Sequence, residues 1–302
     1  MRFEQEFQAA LAAANAGDNQ QALTACSRLL LIRPDDPAVL QLQATISLRT
    51  GDPAAALSTI RRGLAQRPGH VPSLILAGRA ALALQAFDQA LEPLRQAVTL
   101  APSRPEPAFL LCHALLGLDD PALPATLRET AARHPNHAVS WQQLGVALRR
   151  AQRPDDALAA FTLAAAANPA LAEAQFGLGI SVREAGRMTE AEDSLRRAVQ
   201  ADPTAHAAWF ALGLTCQDLD DEAGAAAAFQ AALDQRPDLA EAAVNLGIAR
   251  QRLGDMPAAL QAYRTAVRIR PDTLGRIAQA VTSARTGMLW LDLGGLHRAL
   301  GV

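Results

Sequence analysis

Two closely spaced histidines are the first side chains in this sequence that could bind a metal. His134 and His137 lie three residues apart, so both imidazoles could in principle reach one ion. A zinc site takes three or four protein ligands, however, and no third ligand accompanies the pair. Pro135 between them also predicts a boundary between two helices rather than one rigid helix face. We therefore expect no metal at this position and no cofactor elsewhere.

Thiols and carboxylates are the next candidates for chemistry. The three cysteines, Cys26, Cys112 and Cys216, are far apart and odd in number, and each stands where related segments of the chain carry a packing residue. They are expected to be small buried thiols in a reducing cytoplasm. Aspartate groups such as Asp119–Asp120 are expected to cap helices. No catalytic constellation emerges, so the chain is not expected to be an enzyme.

The complete absence of lysine excludes several function classes. All 28 basic residues are arginine, and the formal net charge is −2. A phosphate-loop lysine, a Schiff-base lysine and a kinase-type lysine are therefore impossible. The near-neutral charge also gives no electrostatic footprint for nucleic acid. We expect no nucleic-acid partner and, because no apolar run is long enough, no membrane span.

Prolines on a near-constant period show which elements must position any functional side chain. Because a proline in a helix interior costs ~3 kcal/mol, prolines on such a period predict helix boundaries. A period between 20 and 50 residues predicts stacked repeats rather than one globular core. The spacing is 34 residues with a single step of 33, through Pro34, Pro68, Pro102, Pro135, Pro169, Pro203, Pro237 and Pro271.

Other residue types recur on the same period. Three repeats carry matching columns: Trp141, Leu144, Gly145, Ala157, Phe161 and Ala164; Trp209, Leu212, Gly213, Ala225, Phe229 and Ala232; Ala243, Leu246, Gly247, Ala259, Tyr263 and Ala266. On these columns the chain resembles the tetratricopeptide-repeat (TPR) family over about residues 3–273, most regularly over 138–273. The resemblance implies an all-α, right-handed α-solenoid of about eight helix-turn-helix repeats. Residues 274–302 would add a capping helix and an apolar tail.

Each repeat is predicted to contain a helix A, a tight turn and a helix B. Glycine at the turn can close helix A in the left-handed conformation, as at Gly17, Gly51, Gly186 and Gly254. Asp52 and Asp255 are predicted N-caps of the following helix B. A column of small residues in helix A, which includes Gly213 and Gly247, is predicted to face the alanine column of helix B where the two helices cross.

The resemblance implies that the A helices line a concave groove that binds a partner. Apolar pairs occupy the fifth and ninth places of repeats six to eight, and arginines at the edges could bind carboxylates bidentately. These side chains could equally pack only against neighbouring A helices. The two phenylalanines favour binding, because aromatic residues make up just 4% of the chain. The predicted groove residues are Phe176, Ile180, Phe210, Leu214, Val244, Ile248, Arg149 and Arg183.

Two ligand types known in the family fit poorly. Members that bind acidic chaperone tails use lysine and asparagine on the inner face, and this chain has no lysine. Members fused to the O-linked N-acetylglucosamine transferase domain carry an asparagine ladder. The corresponding column here reads Gln143, Gly177, Ala211 and Asn245.

The segment after Pro271 departs from the repeat. Asp272 is predicted to cap a helix on which Leu274, Ile277, Ala278 and Val281 form an apolar stripe that covers the last repeat. The apolar segment Met288–Leu300 could add to this cap. Alternatively, it could lie in the groove of its own or a neighbouring chain, which would permit self-association.

These observations favour a cytoplasmic, non-enzymatic adaptor whose groove binds an apolar or amphipathic segment of a partner protein. The alternative is a substrate-recruiting subunit of a modifying enzyme, such as a glycosyl- or sulfotransferase, whose catalytic part is a separate chain. A transferase encoded by a neighbouring reading frame would favour this alternative.

Overall fold

The structure, a computed structural model, describes residues 2–283, which form α-helices joined by short turns and contain no strand. The all-α prediction is confirmed for this range, and the sixteen helices before Pro271 form consecutive A and B pairs. The helices are α1 (Arg2–Asn15), α2 (Asn19–Ile32), α3 (Pro37–Arg49), α4 (Pro53–Gln66), α5 (Val71–Ala83), α6 (Phe87–Leu100), α7 (Pro105–Gly117), α8 (Leu123–Arg133), α9 (Ala138–Arg150), α10 (Pro154–Ala167), α11 (Ala172–Glu184), α12 (Met188–Ala201), α13 (His206–Asp218), α14 (Glu222–Gln235), α15 (Ala240–Arg252), α16 (Met256–Ile269) and α17 (Leu274–Ser283).

The chain divides into two compact units, Met1–Gln152 with α1–α9 and Arg153–Val302 with the remaining helices. In the first unit, successive helices from α1 to α8 pack against each other, and each A helix also contacts the next A helix. In the second unit, successive helices from α10 to α16 pack in the same way, and α11 contacts α13. Each unit is therefore an array of helix pairs, as expected for stacked repeats.

The turn between helix A and helix B uses the left-handed conformation, as predicted for the four glycines. Gly17, Gly51, Gly186 and Gly254 have φ between 76° and 86°. Four repeats without glycine place another residue in the same conformation, with φ between 49° and 58°: Gln85, Asp119, Gln152 and Asp220. The turn geometry is thus common to all eight helix pairs.

The predicted N-caps are confirmed. The Asp52 carboxylate accepts a hydrogen bond from Ala55 N at 2.9 Å, and the Asp255 carboxylate accepts one from Ala258 N at 3.2 Å. Proline follows at the first helical turn in both helices, where its missing N–H has no intrahelical acceptor. These caps fix the start of helix B in their repeats.

The small-residue column meets the alanine column at Gly179, where an added Cβ would lie 3.4 Å from the Ala191 carbonyl oxygen, but its closest contacts are with large side chains of helix B. A Cβ added to Gly213 would lie 2.6 Å from the Phe229 ring, and one added to Gly247 would lie 2.3 Å from the Tyr263 ring. Leu94 and Leu195 occupy the same place opposite Gly78 and Gly179. Each glycine therefore makes room for a large side chain of helix B in its own repeat.

The last described helix packs as a further A helix. A 3-10 turn, Pro271–Thr273, leads directly into α17, and the Asp272 carboxylate lies 3.2 Å from Arg270 Nε. Asp272 therefore pairs with an arginine, where a helix cap was predicted. The apolar stripe of α17 packs on the core, with Ile277 and Val281 fully buried. The segment Met288–Leu300 lies outside the described residues.

Candidate partner-binding surface

Five of the predicted groove residues form a half-buried set on A helices of the second unit. Phe176 and Ile180 lie on α11, Phe210 and Leu214 on α13, and Ile248 on α15. Each packs against the same buried apolar cluster and keeps part of its surface accessible. We refer to these five residues as the apolar strip. They are neither sealed in the core nor fully solvated, which suits contact with a further apolar surface.

Val244 does not belong to this surface. It occupies the same column as Phe176 and Phe210, yet it is 0% exposed. At the next position, Asn245 Oδ1 accepts a hydrogen bond from Arg276 Nη2 of α17 at 2.8 Å. Helix α17 thus lies against this part of α15. The prediction that Val244 lines an accessible groove is wrong.

Phe210 is supported from beneath by an aromatic side chain of helix B. Its ring centroid lies 5.7 Å from that of Phe229, with an angle of 55° between the rings. Phe229 is 0% exposed and fills the space that Gly213 leaves open. The strip is therefore held by the packing that joins helices A and B, and its side chains have little freedom to reorient.

A small apolar cleft opens beside Phe176, between α11 and α13. It has a volume of about 80 Å³ and is lined largely by alanines, with Glu173 and Asp202 as its two acidic residues. Hydrogen bonds from the Thr204 hydroxyl and backbone N–H hold the pKa of Asp202 below its ordinary value. The cleft thus combines an apolar lining with a permanent negative charge.

The two predicted arginine clamps have different surroundings. The Arg183 guanidinium donates from Nε and Nη2 to Asp218 Oδ2, at 3.0 and 2.6 Å. It therefore ties α11 to α13 through a partly exposed ion pair. Arg149 lies on α9 in the first compact unit, whereas the strip belongs to the second. The clamp role of both arginines stays a prediction.

Polar residues of α15 that the sequence placed on the inner face serve a structural role instead. Gln251 is buried; its side-chain amide donates to Ala280 O of α17 and accepts from the Tyr263 hydroxyl at 2.8 Å. Asn245 is buried and bonded to Arg276. Neither side chain can contribute to a ladder that holds a partner backbone.

A second apolar cleft lies in the first unit, between α1 and α3, and was not predicted. It encloses about 300 Å³ and includes Phe7, Leu11, Leu42 and Arg49. Phe7 and Leu11 occupy the fifth and ninth places of repeat one, the columns that hold Phe176 and Ile180 in repeat six. The signal was present in the sequence, but the first repeat matches the consensus too weakly for these places to be assigned with the others.

A further cleft lies among α14, α15 and α16. It encloses about 590 Å³ between α14 and α16, and its lining includes Asp234, Arg250, Gln261 and Arg268. Arg250 Nη1 also lies 3.8 Å from the Asp255 carboxylate. The lining mixes charges of both signs with amides and does not define one class of ligand.

Within residues 2–283, the histidine pair does not belong to any group of three close ligand atoms that a metal would need. His137 Nδ1 lies 2.8 Å from Ser140 Oγ, and the ring of His137 packs near Phe109. His134 is buried, and its carbonyl accepts a hydrogen bond from Trp141 Nε1 at 2.9 Å. Burial, together with His137 and Arg133, lowers the pKa of His134.

One cluster in the described residues has ligand atoms close enough for a metal: Glu192, Cys216 and Asp221, all within 4.8 Å of one another. Burial and the two carboxylates raise the pKa of Cys216 to about 12, so its thiol stays protonated. Asp221 caps α14 through Gly224 N, and Glu192 pairs with Arg196. These partners explain the cluster without an ion. All three cysteines are buried, as predicted.

No helix within residues 2–283 has both the length and the apolar character that crossing a bilayer requires.

Comparison with known proteins places the sequence near repeat families. A tetratricopeptide-repeat model matches residues 143–206, 191–239 and 210–272, and a model of anaphase-promoting complex (cyclosome) subunit 3 matches residues 15–97. A comparison with curated proteins gives no match.

Several solved structures resemble the chain. The crystal structure of MamA is 19% identical with a TM-score of 0.48, over 55% of this chain and 97% of that one. YrrB, described as a TPR protein with an unusual peptide-binding site, is 17% identical with a TM-score of 0.45, over 61% and 95%. MamA 41-end from Desulfovibrio magneticus RS-1 is 22% identical with a TM-score of 0.45, over 56% and 96%.

Proposed function

Because the chain is a tetratricopeptide-repeat protein, and thus a scaffold for protein–protein interaction, we propose that the apolar strip binds an apolar or amphipathic segment of a partner protein. The protein acts in this proposal as a non-enzymatic adaptor. The observation that carries it is the half-burial of Phe176 and Phe210 on adjacent A helices, each with its base on the core. Rigid aromatic side chains with accessible faces are frequent anchors of protein interfaces.

The test replaces both anchors together. Phe176→Arg with Phe210→Ala removes the aromatic surface and adds a charge. Since anchor residues contribute ≥ ~2 kcal/mol each, partner affinity should fall at least about 30-fold. Affinity capture from the native organism would identify the partner, and titration of the purified partner would measure the loss.

The control is Leu253→Arg, because Leu253 is 48% exposed outside the strip, in the turn after α15. Helical circular dichroism and the urea midpoint should be recorded for every variant, since Phe210 packs on Phe229. If the double variant binds the purified partner as well as the wild type does, the strip is not the binding surface. The recruiting-subunit alternative would use the same surface and differs only in the identity of the partner.

A further inference from the structure

One face of α11 carries an apolar pair bracketed by two carboxylates. Glu173, Phe176, Ile180 and Glu184 follow one another at spacings of three, four and four residues, which places them along one side of the helix. Phe176 and Ile180 are half-buried members of the apolar strip, whereas Glu173 and Glu184 are exposed. Any partner segment that covers this apolar pair along the helix therefore meets a negative charge at each end.

The two carboxylates are not neutralised within the described part of the chain. Neither Glu173 nor Glu184 forms an ion pair or a side-chain hydrogen bond in residues 2–283. The arginine on the same helix, Arg183, is committed to Asp218 through two short contacts. The charge that α11 presents to a partner is therefore acidic.

The cleft between α11 and α13 continues the same chemistry. Its apolar lining of about 80 Å³ has room for one aliphatic side chain, and its two charged residues, Glu173 and Asp202, are both acidic. An aliphatic residue that enters this cleft is thus accompanied by negative charge. An acidic neighbour in the partner would be repelled there, and a basic neighbour would be attracted.

Building on the proposed function, we propose that the partner segment is basic as well as amphipathic. Its aliphatic side chains cover Phe176 and Ile180 and enter the cleft, while lysines or arginines on both sides pair with Glu173 and Glu184. The eleven-residue separation of the two glutamates corresponds to about 16 Å along α11. The segment we propose is helical, so its basic residues lie about 11 positions apart.

The experiment uses the full-length protein and three alanine-rich helical peptides of about 20 residues, long enough to form a helix. Each peptide carries two leucines four positions apart. One flanking residue lies on each side of the leucines, and the two flanking residues are about 11 positions apart. They are both lysine in the first peptide, both glutamine in the second and both glutamate in the third. Binding is measured by fluorescence anisotropy at about 0.05 M and 0.5 M salt. The protein variants are Glu173→Gln/Glu184→Gln and, as a control, Asp193→Asn, which changes an exposed carboxylate on α12.

The lysine peptide should bind about 3- to 10-fold more tightly than the glutamine peptide, and the glutamate peptide should bind least, since exposed ion pairs contribute modestly. High salt and the double glutamine variant should each remove this difference, and Asp193→Asn should leave it intact.

If the three peptides bind equally, the charge proposal is overturned. If this equal binding is also lost in Phe176→Arg/Phe210→Ala, the apolar strip is still supported as the binding surface. Tighter binding of the glutamate peptide overturns the charge proposal as well. Absence of binding by all three at millimolar concentration overturns both proposals.

A synthetic peptide of residues 284–302 serves as a further probe. The charge proposal is rejected if this peptide binds more tightly than the lysine peptide and its affinity is unchanged in Glu173→Gln/Glu184→Gln. The surface would then bind the chain's own terminal segment.

Discussion

The match between glycine in helix A and a large side chain in helix B can be tested by a swap between two repeats. In repeat seven, Gly213 faces Phe229. In repeat two the equivalent residues are Ala44 and Ile60, both 0% exposed. The repeat with the smaller residue in helix A therefore has the larger residue in helix B. Replacing the pair of repeat seven by that of repeat two should restore packing that either single change disrupts.

The magnitude follows from the contact distances. A Cβ on Gly213 would lie 2.6, 2.7 and 2.9 Å from three ring carbons of Phe229, whereas apolar contacts are ordinarily about 3.5–4.0 Å. The ring would have to move away by ~1 Å, at a cost of about 1–3 kcal/mol. The better helix propensity of alanine returns at most ~1 kcal/mol. Gly213→Ala should therefore reduce the free energy of unfolding by about 0–3 kcal/mol.

The second single change, Phe229→Ile, leaves a partly filled cavity. Truncating a buried phenylalanine to alanine costs about 3–5 kcal/mol, so we expect about 1–3 kcal/mol for isoleucine. In the double variant, the new methyl group of residue 213 enters the space that the ring leaves. The double variant should be more stable than the sum of the two single changes by about 0.5–2 kcal/mol.

Urea denaturation followed by circular dichroism measures these free energies. Amide hydrogen exchange in α13 and α14 localises the effect, because repeat arrays do not always unfold in one step. Gly275→Ala is the control, since a Cβ there meets nothing within 4 Å. The interpretation is refuted if the two changes in repeat seven are additive, or if Gly213→Ala stabilises the protein as much as Gly275→Ala does.

Two further predictions concern buried polar groups. Gln251→Leu leaves the Tyr263 hydroxyl and Ala280 carbonyl without their partner and should cost about 1–3 kcal/mol, with faster hydrogen exchange in α17; unchanged exchange would contradict the role assigned to this residue. Burial lowers the pKa of His113 and contributes to the lowered pKa of His134. As the pH falls, these histidines are therefore protonated in the unfolded chain at a higher pH than in the folded chain. Stability should be full above about pH 6.5 and decline below it, by at most ~1.4 kcal/mol per pH unit for each histidine. Urea midpoints between pH 7.5 and 5.5 measure this slope, which His113→Gln and His134→Gln should each reduce; an unchanged slope in both would refute it.

The elements predicted correctly are those fixed by short-range rules. Helix ends follow from proline, the N-caps from Asp52 and Asp255, and the turn conformation from glycine. Even the turns without glycine could have been placed by their position in the repeat. These features depend on residues a few positions apart, and the repeated period gives the same evidence eight times.

The elements that the sequence did not reveal depend on contacts between repeats. Val244 shares its column with Phe176, yet it is fully buried, and the next residue, Asn245, bonds to Arg276 of α17. Arg183 lies at a groove edge, but a carboxylate 35 residues later engages it. Column position fixes the direction of a side chain along its helix. It does not fix which neighbour occupies the space beyond.

A further hydrogen bond was invisible in the consensus pattern because different residue types form it. Trp209 Nε1 donates to Pro203 O at 2.9 Å, and the Gln175 amide donates to Pro169 O at 3.1 Å. Both bonds tie helix A to the proline turn that precedes it. Both side chains place an N–H donor within hydrogen-bonding distance of the proline carbonyl oxygen. This equivalence is seen in the structure and not in the consensus pattern.

The pairing of Gly213 with Phe229 inside one repeat also bears on how such a chain can lengthen or shorten over generations. Unequal crossing-over at the proline turns would duplicate or delete whole repeats, and Gly78, Gly179, Gly213 and Gly247 would each keep the large side chain of their own repeat. A break between helix A and helix B would join Gly213 to a smaller residue or Ala44 to a phenylalanine, leaving a void or a clash. Exchange at a proline turn therefore preserves the contacts within each repeat, whereas contacts between repeats, such as that of Gly177 with the Phe161 ring, would depend on which repeats the exchange brings together.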